Sequence, residues 1–170
     1  MLSVAWWRQW GPVVALWCLV IAGFYTGIDW LLQRQTMPNR VENLSGEVLQ
    51  LQRARDGHYR LEGLINGQRV RLMLDTGASG VALDSRLAAQ LGLPQGPAMA
   101  LSTANGTVQG YATRIAELRL GDIVLRDIRA SVAPNFGDPE EVLLGMSALK
   151  HLDLSMRGDT LTLSVPRDTP

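Results

Sequence analysis

Hydrophobic and polar positions divide the chain into two regimes. From Gly11 to Ile28 no residue is charged, and Leu31 and Leu32 extend the apolar stretch to the ~20 residues that a membrane-spanning helix needs. The stretch is apolar on every face, unlike the one-sided pattern of a helix packed on a globular core. Trp6, Trp7 and Trp10 stand at one end, Tyr25 and Trp30 at the other, the aromatic pattern of two membrane interfaces. A cleaved signal peptide has a shorter apolar region and a small-x-small site after it; nothing following Ile28 offers one. The pattern predicts an N-terminal tail over 1–10, a transmembrane helix over 11–32, and a polar linker over 33–45 holding Pro38, Asn39 and Asn43.

From Gly46 the pattern becomes β, with short apolar runs between turn signals. Val48, Leu49 and Leu51 predict a first strand and residues 59–65 a second, with Asp56-Gly57 as a hairpin signal between them. Asn66-Gly67 is a stronger signal, because both residues tolerate the positive φ of a type I′ turn. Residues 68–74 return as the third strand of a meander. Val81, Ala82 and Leu83 form another apolar run, after which Asp84 caps a short helix over 85–91 that Gly92 stops. Residues 99–103 and 108–120 read as a hairpin with Asn105-Gly106 at its tip, and 123–132 as a further strand. Residues 141–144 lead into Gly145 and a short helix over 147–151. A last hairpin joins 152–156 to 160–165 across Arg157-Gly158-Asp159.

The candidate chemistry stands where the third strand ends. Leu72-Met73-Leu74 runs straight into Asp75-Thr76-Gly77-Ala78-Ser79. Three large apolar residues in succession predict a buried strand, and Gly77 permits a tight turn. A carboxylate at the end of a rigid strand is positioned rather than mobile, and the turn's N–H groups are placed to steady its charge.

Charge and composition narrow the function classes. The formal net charge is zero and no basic run carries interleaved aromatics, so there is no electrostatic case for nucleic acid. Cys18 is the single cysteine, which excludes an intramolecular disulfide and a cysteine-based zinc cluster. His58 and His151 are far apart, without metal-ligand spacing. Neither a metal nor a cofactor is expected.

The order of these parts resembles the single-domain, retroviral-type (retropepsin-like) aspartic peptidases, especially bacterial membrane-anchored members. The likeness covers roughly residues 46–165 and rests on three features: the Asp75-Thr76-Gly77 loop, the hairpin with Asn105-Gly106, and Val142-Leu143-Leu144-Gly145-Met146 about 70 residues after the acid. The resemblance implies an all-β fold: a closed or partly open barrel of the acid-protease type with one or two short helices, preceded by the transmembrane helix. It implies that Asp75 is catalytic, that the Asn105-Gly106 hairpin is a flap over the substrate, and that Leu143, Leu144 and Gly145 pack the base of the active-site loop. Ser79 replaces the acid often found there in retroviral enzymes, and its hydroxyl is expected to hydrogen-bond Asp75 and help hold it ionised.

Peptide hydrolysis on two carboxylates needs one as base towards water and the other protonated against the carbonyl. Only Asp75 is followed by the hydroxyl and glycine of the motif, so the resemblance implies a homodimer in which Asp75 meets its counterpart on a two-fold axis. Thr76 is suited to lock the two loops together, and residues 46–51 and 161–165 are expected at the dimer interface. The reading is a membrane-anchored aspartic endopeptidase acting on peptide or protein substrates. The expected localisation is single-pass in the cell membrane, with the catalytic domain on the extracytoplasmic, periplasmic side. The alternative is a catalytically silent binding or dimerisation module on the same fold. An aspartyl-phosphate enzyme is disfavoured, because that chemistry normally calls for magnesium and further acids on an α/β fold.

Overall fold

The computed structural model describes residues 4–36, 39, 46–103 and 106–166. Two compact units result, Met1–Thr36 and Met37–Pro170. The first is a single helix, α1 (Val4–Thr36). Its segment Trp10–Ile28 has mean hydropathy 1.8 and is not buried, so it is long and apolar enough to cross a membrane. Thr26 donates its hydroxyl to the carbonyls of Ala22 and Gly23, both at 3.0 Å, which satisfies its one polar side-chain group within the helix. α1 runs four residues into the segment read as linker. No glycine or proline interrupts residues 28–36, and Pro38 is the next helix breaker.

The second unit is built of ten strands and two short helices: β1 (Val48–Gln52), β2 (Tyr59–Ile65), β3 (Gln68–Leu74), β4 (Val81–Asp84), α2 (Ser85–Gln90), β5 (Ala98–Thr103), β6 (Gly106–Leu120), β7 (Ile123–Ala133), β8 (Glu141–Leu144), α3 (Met146–Leu149), β9 (Asp153–Arg157) and β10 (Thr160–Ser164). Six strands close a barrel in the order β2-β3-β8-β4-β7-β6, with β2 returning to β6 through Leu64↔Arg119 and Ile65↔Leu118. β5 extends β6 beyond the ring. Closure depends on Gly63, where an added Cβ would lie 2.5 Å from Leu72 Cδ1 and 2.8 Å from the Arg119 carbonyl. β2 and β3 alternate in burial, with Leu61, Ile65, Val70 and Leu72 turned inward, the period-two pattern of strands with one face on a core. Asn66 at φ 50 and Gly67 at φ 81 make their turn, as the sequence predicts.

One predicted connection is different. β1 and β2 do not form a hairpin: Asp56-Gly57 lies in a turn, but only Arg53 and Tyr59 bridge across it. β1 instead pairs with β10 in a separate three-stranded sheet ordered β1-β10-β9. The reason is burial, since Leu49, Leu51, Leu161 and Leu163 join one inner face on the common core, a long-range pairing that local turn signals do not encode. Asn39, within the segment read as linker, is buried. Its amide donates to the Gln52 and Arg60 carbonyls (3.0 and 2.7 Å) and its Oδ1 accepts from the Gln52 N–H at 2.8 Å. It thereby ties the two sheets together where β1 and β2 part.

Candidate active site

The site is made by strand threading. β8 lies between β3 and β4: it pairs in parallel with β3 from Arg71↔Glu141 to Leu74↔Leu144, and antiparallel with β4 at Ala82↔Leu143. The chain leaving β3 must therefore cross the end of β8 before it enters β4, and residues 75–80 are that crossing. Asp75 donates its N–H to the Leu144 carbonyl (3.1 Å), and Met146 donates its own to the Ala78 carbonyl (2.9 Å). Gly145 sits directly beneath the crossing. A Cβ there would lie 2.2 Å from the Gly80 oxygen and 2.8 Å from the Ala78 oxygen. Leu144 and Gly145 thus lie against the loop, and Leu143 pairs with Ala82 just past it.

The Asp75 carboxylate is half-buried and accepts the Gly77 N–H at 2.8 Å through Oδ1. That bond fixes the carboxylate's orientation by the backbone that follows it. Thr76 and Ser79 are exposed. The expected Ser79–Asp75 hydrogen bond is not formed; among the described residues the Asp75 side chain is held by Gly77 alone, because the turn directs its N–H, not the serine hydroxyl, at the carboxylate. Ser147 escaped the sequence reading. Its Oγ accepts the Val81 N–H (2.9 Å) and donates to the Arg129 carbonyl (2.8 Å), clamping the loop's exit to β7. A hydroxyl just inside a short helix gives no sequence signal of such a role.

Clefts open on three sides of the loop. A first, of about 480 Å³, brings Asp75 together with Met73, Ser102, Thr103, Phe136 and Leu143. The β5–β6 hairpin thus reaches the same cleft as the carboxylate. Its register ends at Thr103↔Gly106, with Gly106 at φ 111; Asn105 lies outside the described residues. A second cleft, of about 810 Å³, runs along the Ser79 side of the loop, and Phe136 lines both. A third, of about 430 Å³, places Asp75 and Thr76 beside Tyr59, Leu154, Met156 and Leu161.

Apart from Asp75, the charged groups lining the first cleft are paired. Glu141 meets Arg60 at 2.8 Å, and Asp138 meets Arg71 at 3.1 Å. Arg60 also pairs with Asp56, and that hydrogen bond holds the Asp56 carboxyl below its usual value. Asp84, fully buried, caps α2 by accepting the Arg86 N–H (2.8 Å) and also accepts the Phe136 N–H (3.1 Å). The Arg86 guanidinium, 3.0 Å away, is the main cause of its lowered pKa, with the two N–H groups adding to it against the opposing effect of burial. Through Phe136, this cap anchors a wall shared by two clefts. Among the described residues no cluster of histidine, cysteine and carboxylate side chains is arranged to hold a metal ion.

Comparison with known proteins agrees with this architecture. The family model described as "gag-polyprotein putative aspartyl protease" matches residues 61–151, more than half of the chain. A protein from the cobV 5′ region of Sinorhizobium sp is 29% identical over 169 residues, covering 88% of this chain and 71% of the relative. A second, from Rickettsia prowazekii (strain Madrid E), is 26% identical over 158 residues, covering 87% of this chain and 62% of its own length. Both are described as uncharacterized. The crystal structure of a retropepsin-like aspartic protease from Rickettsia conorii superposes with a TM-score of 0.56 at 26% identity, covering 69% of this chain and 90% of that one. Strand threading, the position of Asp75-Thr76-Gly77 and these likenesses agree: the chain belongs to the retropepsin-like aspartic protease family.

Proposed function

We propose that the protein is a membrane-anchored aspartic endopeptidase whose active site forms from the Asp75 carboxylates of two copies. The observation that carries the reading is the placement of Asp75: fixed at the end of β3, oriented by the Gly77 N–H, and open to clefts on two sides. One carboxylate does not suffice for this chemistry. One Asp75, ionised, takes a proton from a water molecule whose oxygen attacks the peptide carbonyl. The other, protonated, hydrogen-bonds the carbonyl oxygen as it gains charge. Collapse of the tetrahedral intermediate breaks the C–N bond as a proton passes to the departing nitrogen, leaving a carboxylic acid and an amine.

The surroundings of the third cleft support a second copy there. Thr76 is exposed and makes no hydrogen bond among the described residues, which leaves its hydroxyl for the matching loop. β9 is exposed along its whole length and forms a sheet edge, with Leu154 and Met156 uncovered beside Asp75. An unpaired edge carrying apolar side chains is a template for another chain. Residues 46–51 and 161–165, expected at the interface from the sequence, fall mainly on β1, the other edge of this sheet, and on β10 between the two edges; of the edges, β9 carries the residues that share a cleft with Asp75. The apolar α1 supports anchoring, which raises the local concentration of copies. The β5–β6 hairpin is suited to close over an extended peptide.

The test uses the full chain in mild detergent, wild type beside Asp75→Asn, with an unstructured protein substrate from acid to neutral pH. Wild type cleaves, the variant folds equally well and does not, and sedimentation gives a dimer. Equal mixing of the two after subunit exchange leaves about one quarter of the dimers with both carboxylates, so activity falls to half that of the unmixed preparations. Binding without cleavage by wild type at every pH would overturn the peptidase reading in favour of a binding module.

A further inference from the structure

The clefts flanking the loop differ in charge. The first is lined by three carboxylates, Asp75, Asp138 and Glu141, of which Arg71 and Arg60 neutralise the last two. The second is lined by Arg129 and Lys150 and by no aspartate or glutamate. Among the described residues neither cation has an ion-pair partner, whereas eight other arginines of the domain, including Arg126 on the same strand as Arg129 and Arg114 on the neighbouring one, each lie within 4.0 Å of a carboxylate. In a chain of zero formal charge, this is a local positive field at the edge of the site. Its placement is firm: Ser147 ties the Arg129 carbonyl to the start of α3, and Lys150 closes that helix. Met99 and Leu101 also line this cleft, apolar surface suited to the methylenes of a glutamate.

We infer that this second cleft receives an acidic side chain of the bound peptide, with Arg129 and Lys150 determining that preference. The inference rests on the peptide-cleaving reading of the same site and specifies its substrate class: extended segments carrying aspartate or glutamate near the scissile bond. A two-fold site presents the cleft twice, so the preference falls on both sides of that bond.

The test uses full-length Asp75→Asn protein in mild detergent and short capped peptides in a neutral background, with Glu, Gln or Lys scanned through each position. Fluorescence anisotropy is expected to show Glu binding about fivefold tighter than Gln at one or more positions, with the difference fading at high salt. Arg129→Glu/Lys150→Glu in the same background reverses the order, so that Lys peptides bind best; both residues are exposed, so the fold tolerates the change. Equal binding of Glu and Gln, or a Glu preference that survives charge reversal, overturns the inference, as does failure of every peptide to bind. Wild-type protein given the same peptides tests the peptidase reading separately. Binding with Glu preference but no cleavage leaves the inference standing and removes the peptidase.

Discussion

Gly145→Ala isolates the physical cause of the loop's shape. Gly145 has φ −96° and ψ −170°, which alanine adopts without strain, so the effect is steric. The new methyl would lie 2.2 Å from the Gly80 oxygen and 2.8 Å from both the Ala78 oxygen and the Gly80 carbonyl carbon. Reaching even 3.0 Å requires the loop to retreat by about 0.8 Å, and the obstacles are backbone atoms that cannot rotate away. Overpacking of this kind costs about 1–3 kcal/mol, and contact with two carbonyls places this site near the upper end. Reduced freedom of the unfolded chain offsets roughly 0.5 kcal/mol. A net loss of about 2–2.5 kcal/mol follows, or a melting point lower by roughly 10 °C. A loop displaced by nearly 1 Å is expected to lose on the order of 10²-fold in turnover. Gly80→Ala is the control, because its Cβ would meet only Ser147 Oγ at 3.7 Å. All five tryptophans lie within residues 1–30, so their fluorescence does not report on the barrel; pulse proteolysis in urea does. If Gly145→Ala unfolds at the same urea concentration as Gly80→Ala and wild type, close backbone approach does not shape the loop.

Other outcomes follow from the same geometry. Asp84→Ala removes the α2 cap and leaves the Phe136 N–H without its acceptor, at a cost of about 2 kcal/mol in urea unfolding at neutral pH. Because the folded-state pKa of Asp84 is lowered, its stabilisation is fully present above the ordinary carboxyl range and is lost as pH falls through the folded value; the gap between wild type and Asp84→Ala therefore narrows in acid. Asn39→Asp keeps the acceptor but loses both donors to Gln52 and Arg60, and is expected to cost about 2–3 kcal/mol, with faster hydrogen exchange of the β1 amides. Asn39→Asp matching wild type in both measurements would show that this buried amide does not hold the sheets together. Asp75→Asn abolishes cleavage while leaving the unfolding midpoint unchanged within about 0.5 kcal/mol, since the side chain is half-exposed and Asn retains the acceptor for the Gly77 N–H.

What the sequence alone determined is local or periodic. The apolar run of α1, the Asn66-Gly67 turn, the Asp84 cap and the strand that delivers Asp75 all follow from neighbouring residues, because periodicity, φ preference and capping act over a few positions. The order Asp75-Thr76-Gly77, hairpin, Leu143-Leu144-Gly145 indicated the family for the same reason. Tertiary structure alone decided the pairings between distant segments. β1 leaves its neighbour for β10 because that buries four leucines on one face. Gly63 looks like any other glycine until the Arg119 carbonyl comes within 3 Å of where a Cβ would be, and Gly145, singled out by the family resemblance, shows only in the structure which atoms it must clear, the Gly80 and Ala78 carbonyls. Asn39, Ser147 and the exposed edge of β9 gain their meaning from groups 13 to 66 residues away or from strand order. Close packing joins residues by space rather than by sequence, which is why Asp75 and its strand were legible from the chain while the contacts of Asn39, Ser147 and Gly63 were not.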